Sequence, residues 1–292
     1  MNSRRLTRLF GVAAGAAAAL AVGASLASAA QSYTCSGTFD SPGVLAGEHG
    51  PVLVEGWCEV NQGPAQVRGT LTLARGSALI SAFGGGGSSL SVDGNVIVRS
   101  GATLLLGCEP GFFTCLDDPS QEHPTLFSRG SVTGNIVASE PLGVIVHAST
   151  IGGSVLETGG GGGFTCNPLG GFDKFHSPVY SDYEDTSIGG SLSVKSLTSC
   201  WLGVARDHVQ GGASFDNVQL ADPDGIEIID NHVGRNLACY DNSMVWDSAD
   251  LSATGALWPR QPEPNTVGGM RLGQCALASP ATDNGPPGPG AF

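Results

Sequence analysis

The chain has 292 residues, 45 of them glycine and eight cysteine, with 41% hydrophobic residues and a formal net charge of −13. That acidity excludes nucleic acid as an expected partner, because binding it begins with a basic face that displaces counterions; cations or neutral glycans suit the surface better. Each interior glycine costs a helix about 1 kcal/mol relative to alanine, so the composition also excludes a mainly helical architecture.

Residues 1–30 read as an export signal. Arg4, Arg5 and Arg8 precede the apolar run LFGVAAGAAAALAVGASLA and the small-residue stretch ASAA, and cleavage is expected near Ala30. Thr7 and Arg8 stand where a twin-arginine signal carries apolar residues, which favours the general secretory route. The expected product is secreted, with 10 basic and 26 acidic residues and hence a net charge of −16. No later stretch is apolar for long enough to span a bilayer.

Residues 31–60 are expected to cap the body of the fold, residues 61–279. One phrase recurs through the body: VRGTLTL at 67, VDGNVIV at 92, VTGNIVA at 132, IGGSVLE at 151, IGGSLSV at 188 and VGRNLAC at 233, with further starts at 209 and 267. Its apolar–polar alternation is that of a half-buried strand. A second apolar burst follows each time, as in ALISA at 78, TLLLG at 103, GVIVHA at 143, CWLGVA at 200 and GIEIID at 225. The short intervals between phrases, 19 to 25 residues, suit one coil of a solenoid. The longer ones contain insertions at about 108–124, 159–185 and 244–264. These features predict an all-β, single-stranded parallel β-helix, right-handed, with disulfide-stapled loop insertions. Val, Ile and Leu would fill a narrow interior, and the phrase glycine would supply the corner angles. A two-layer sandwich competes, but it does not predict one phrase restarting after every insertion. The tail, 280–292, has the composition of a disordered segment.

The eight cysteines, Cys35, Cys58, Cys108, Cys115, Cys166, Cys200, Cys239 and Cys275, form an even set in an exported chain and read as disulfides. Locality suggests Cys35 with Cys58, Cys108 with Cys115, Cys239 with Cys275 and, by remainder, Cys166 with Cys200. No paired CxxC spacing calls for structural zinc, and no cofactor is expected.

The segment VTGNIVASEPLGVIVHASTIGGSVLE resembles the repeat of bactofilins and related polymer-forming proteins, and NHVGRNLAC and NTVGGMRLGQC resemble a recurrent ending in secreted actinobacterial proteins. Together these cover about residues 60 to 275. The resemblance implies short β-helical coils and carries no known activity.

Aligning the coils on the Val or Ile that opens each phrase produces polar columns. Two residues earlier stand Ser149, Thr186, Asp207, Asn231 and Asn265, a ladder suited to capping turns. One residue earlier stand Thr150, Ser187, His208, His232 and Thr266. Three earlier stand Asp185, Arg206 and Asp230, which with His208 and His232 form the densest ionisable group that the alignment yields. Extracellular β-helices that resemble polysaccharide lyases use acidic side chains to hold calcium against a uronate and a basic residue to take a proton. By that resemblance these five are candidate catalytic residues, with calcium as cofactor; the competing reading is a surface charge ladder. A His208–His232 metal site lacks a third ligand fixed by spacing. The insertion FDKFHSPVYSDYED offers Phe172, Phe175, Tyr180 and Tyr183 either as a ligand platform or as a cover over exposed apolar surface. No nucleophile elbow, zinc-protease motif or P-loop is present. The leading expectation is a secreted, non-catalytic β-helix that binds or scaffolds a glycan or another cell-envelope component. The alternative is a lyase-like enzyme on acidic polysaccharide.

Overall fold

The computed structural model describes residues 31–111, 113–222, 225–248 and 265–277. Residues 1–30, expected to be an export signal, the tail and residues 249–264 of the third insertion lie outside them.

The chain is all-β with large parallel sheets. Successive strands visit three faces in rotation, the first a 9-stranded sheet and the other two parts of one 18-stranded sheet. A first face holds Ala65–Val67, Leu90–Val92, Gly130–Val132, Thr150–Ile151, Ser187–Ile188, His208–Val209, His232–Val233 and Thr266–Val267. A second holds Leu71–Leu73, Val96–Val98, Ile136–Ser139, Val155–Thr158, Leu192–Lys195, Ala213–Asp216, Leu237–Tyr240 and Arg271–Gly273. A third holds Ala78–Ser81, Thr103–Leu106, Gly143–His147, Tyr180–Glu184, Trp201–Ala205, Ile226–Ile229 and Val245–Ser248. Each strand pairs in parallel with the strand on the same face one circuit later. This layout is compatible with a parallel solenoid, and its parallel pairing excludes the antiparallel sandwich. Near the start, Val52–Glu59 crosses two faces in one strand, bending at Gly56 (φ 86°) between its pairings with Leu71–Leu73 and Ala78–Ser81.

Register is strict because one inward column runs the length of the stack. The phrase openers Val67, Val92, Val132, Ile151, Ile188, Val209, Val233 and Val267 are directly opposed from circuit to circuit. A slip by one residue would turn every opener outward. Each buried Val or Ile contributes about 1.5–3 kcal/mol over an exposed one.

Most phrase glycines do not do what the sequence predicts for them. Among the phrase glycines Gly69 does hold a positive φ (131°), but Gly94, Gly134, Gly153, Gly190 and Gly211 do not. They are required for space: a Cβ on Gly134 would lie 2.7 Å from the Gly94 carbonyl oxygen, and one on Gly153 2.7 Å from that of Gly134. Left-handed corners are held by glycine in places, as at Gly76, Gly101 and Gly159, and elsewhere by side-chain-bearing residues. Ala148, Asp185, Arg206 and Asp230 (φ 47°, 49°, 56° and 53°) turn the third face into the first, and Glu140, Ser196, Asn217 and Asp241 (φ 50°, 54°, 55° and 55°) follow the second.

Two polar ladders tie the circuits together. Behind each first-face corner, Asp207 Oδ1 accepts from the Thr186 amide (2.8 Å), Asn231 Oδ1 from that of Asp207 (2.8 Å) and Asn265 Oδ1 from that of Asn231 (2.7 Å). After each phrase glycine, Asn95 Oδ1 accepts from the Asn135 amide and Asn135 Oδ1 from the Ser154 amide, both at 2.8 Å. Four disulfides join Cys35 to Cys58, Cys108 to Cys115, Cys166 to Cys200 and Cys239 to Cys275. No helix among the described residues is long and apolar enough to cross a membrane.

Candidate functional site

The third face differs from the other two in that its outward side is also covered. Second-face strands alternate buried and accessible positions, whereas Ala78–Ser81, Thr103–Leu106 and Gly143–His147 are buried throughout. Continuous apolar runs of this kind belong to strands packed on both sides. The cover comes from two insertions, one following Thr103–Leu106 and closed by Cys108–Cys115, the other preceding Tyr180–Glu184 and tied to the next circuit by Cys166–Cys200. The second insertion lays the short helix Gly171–Lys174 over the sheet, and Phe175 reaches back to Trp57 with ring centroids 5.7 Å apart.

Between the insertions lies a cleft of about 220 Å³. Its floor is the outward side of the third face, at Thr103, Leu105, Ile145 and Tyr180. One wall is Phe113, Thr114 and Leu116; the other is Phe172, Phe175 and Ser177. Three of the four aromatic residues singled out in the second insertion therefore line one cavity. Tyr183 is a correction. Strand alternation turns it into the interior, where it is fully buried and donates to Glu157 Oε2 at 2.7 Å, so it offers no face to a ligand. Phe172 also serves as cover, 3% exposed and 5.5 Å in ring centroid from Tyr180.

Beside the cleft the same face carries a buried polar cluster. His147 ends Gly143–His147, and register sets it opposite Glu184, with Asp182 opposite Ile145. In the next circuit Gly203 and Ala205 oppose these two acids and leave them room; a Cβ on Gly203 would fall 2.3 Å from Asp182 Oδ1. His147 Nε2 is 3.0 Å from Asp182 Oδ2, and Nδ1 is 3.4 Å from Glu184 Oε2. Arg206 Nη2 donates to Glu184 Oε2 at 2.7 Å, and its Nε donates to Asp185 Oδ2 at 2.7 Å. The Phe113 ring stacks on His147 with centroids 4.4 Å apart, so one side chain both walls the cleft and roofs the cluster.

Burial governs the titration here. It pushes Asp182 up to about 7, and burial together with the Asp182 charge pushes Glu184 up to about 8. Burial, with a hydrogen bond and repulsion from Asp185, raises Glu109 to about 9. Burial holds the His147 imidazole below its usual range. Arg206 is raised: burial opposes its charge, but the Glu184 and Asp185 carboxylates outweigh it.

The candidate catalytic residues are divided by this arrangement. Asp185 and Arg206 do meet, but the Arg206 side chain is 1% exposed and held by two carboxylates, which leaves it no path to a surface substrate as a base. Asp230 occupies the next corner of that column. His208 and His232 stack in parallel on the exposed first face, centroids 4.7 Å apart, and Thr266 Oγ1 lies 2.6 Å from His232 Nδ1. The cluster of His147, Asp182 and Glu184 is absent from the sequence-derived candidates. A column four residues before the phrase opener would have shown His147 above Glu184, and one six before would have shown Asp182.

Compared with protein-family models, curated proteins and solved structures, the chain has no match in any of the three.

Proposed function

We propose that the chain is an exported, non-catalytic β-helix, wound right-handed, that binds a neutral glycan unit in the cleft of the third face. The hand follows the strong preference of parallel β crossovers. The cleft carries the functional reading: aromatic faces of Phe113, Phe175 and Tyr180 are interleaved with the hydroxyls of Thr103, Thr114 and Ser177 around about 220 Å³. Apolar walls with a few convergent polar groups are the usual composition of a small-molecule site. This volume is below that of pockets for drug-sized ligands, which suits a single sugar ring. A net charge of −13 disfavours an anionic glycan.

Array screening of the secreted protein followed by calorimetry tests this reading. Neutral glycans should bind with a Kd on the order of 0.1–1 mM, about −5 kcal/mol, and Phe175→Ala should weaken binding about tenfold, since removing a stacked ring forfeits roughly 1–2 kcal/mol. Absence of binding across the array, or equal binding by the variant, would sink it. Release of unsaturated uronate products from acidic glycans would replace it with the lyase-like alternative.

A further inference from the structure

We propose that His147, Asp182 and Glu184 form a binding site for one first-row divalent metal ion of the Zn²⁺ class, buried beneath Phe113 between two circuits of the third face. One ligand atom from each residue lies within 4.8 Å of the others, and all three residues are fully buried. Their spacing alone would describe a packed polar cluster. The second observation is that both nitrogens of the fully buried His147, and Glu184 Oε1, have no hydrogen-bond partner. His147 Nε2 and Asp182 Oδ2 stand 3.0 Å apart, yet the contact lacks hydrogen-bond geometry. Donors bound to a common ion at about 2.0–2.2 Å stand about 3–3.5 Å apart, from octahedral to tetrahedral, and point at the metal rather than at each other.

Charge points the same way. Burying an unpaired carboxylate is costly. Arg206 bonds both Asp185 and Glu184, so with Asp182, Glu184 and Asp185 ionised, the state that a bound cation would enforce, it balances one of the three and leaves the equivalent of two. Two carboxylates, a neutral imidazole and a divalent ion sum to zero. Glu184 Oε2 is engaged by Arg206, while Oε1 is left over as a ligand atom. One nitrogen and two oxygens favour Zn²⁺ or Mn²⁺ over Ca²⁺, which takes all-oxygen cages. Gly203 fits the assignment, since any side chain there would enter the space beside Asp182 Oδ1.

The test uses the full secreted chain, stripped with EDTA, dialysed against Zn²⁺ and passed through a desalting column. Elemental analysis should then find about one zinc per chain, and the Tm should rise with added Zn²⁺ but not with equimolar Ca²⁺. Asp182→Asn and His147→Gln should each lower the affinity about tenfold or more, whereas the His208→Asn/His232→Asn double variant should retain wild-type stoichiometry. X-ray absorption on the loaded wild-type chain should report one nitrogen among oxygen ligands, a readout that stands even if a variant fails to fold. The proposal is overturned by a stoichiometry near zero with no Tm response, by preference for Ca²⁺, by unchanged binding in Asp182→Asn, or by loss of binding in the exposed-histidine variant.

Discussion

At the scale of single residues, the least expected side chain is Glu157. It occupies an inward position opposite Ala138 and Val194, 1% exposed within an apolar column. Its carboxyl accepts from Ser181 Oγ and Tyr183 Oη, both at 2.7 Å, and burial pushes its pKa up to about 7 from 4.5. A folded pKa above the unfolded one means that the native state holds the proton more tightly. The stabilisation is therefore fully present below about pH 4.5 and is lost as pH rises to about 7, a change of about 3 kcal/mol. Glu157→Gln removes this titration while keeping an acceptor for one hydroxyl and offering a donor to the other oxygen. Urea unfolding at pH 4.5 and pH 8 should show the variant losing about 3 kcal/mol less than wild type across the interval; parallel losses would contradict the assignment. The signal was present in the sequence, because IGGSVLE ends in Glu where its sibling phrases have Leu, Val, Ala or Cys. The buried His147 was equally visible in GVIVHA, but a histidine ending an apolar burst does not reveal what lies across the sheet from it.

At the scale of the repeated element, strand positions were legible and the role of glycine was not. Alternation identifies the half-exposed second face directly, and unbroken bursts such as TLLL and GVIV mark the third face as covered on both sides. Glycine, by contrast, serves two physical needs that sequence cannot separate: free dihedrals and absent volume. The structure assigns the phrase glycines after Gly69 to volume, and this gives two opposite expectations. Gly153→Ala should destabilise by about 1–3 kcal/mol, since its Cβ would meet Asn135 Oδ1 at 2.4 Å and the Gly134 carbonyl oxygen at 2.7 Å. Ala148→Gly, at φ 47°, relieves a left-handed conformation that costs a side-chain-bearing residue about 1–2 kcal/mol. After the added chain entropy of glycine it should stabilise by about 0.5 kcal/mol. Denaturant midpoints of the two variants should move in opposite directions; a shared direction would refute the division of roles.

Across the whole molecule, the parallel stacking of strands was readable because each circuit pairs mainly with its neighbours, so a local phrase suffices to specify it. The landing places of the insertions were not readable, since their lengths do not encode which wall they fold against. Cys166–Cys200 is the covalent tether of the second insertion, at a sequence separation of 34, while Cys239–Cys275 closes the last described circuit. Replacing either pair by serine should cost about 2–4 kcal/mol. Only the Cys166→Ser/Cys200→Ser chain should also lose ligand affinity in the cleft, and calorimetry on both variants separates that outcome from a general loosening. The cleft walls spring from circuits on either side of Gly143–His147, which supplies Ile145 to the floor between them. The gap is thus metered in units of about 4.8 Å, the distance between adjacent strands. Duplicating or deleting a whole circuit at that point would widen or narrow the mouth by one such unit and leave the stacking of every other rung as it was. Selectivity in such a scaffold can change by discrete increments, through gene-level gain or loss of rungs, without repacking a single interior side chain.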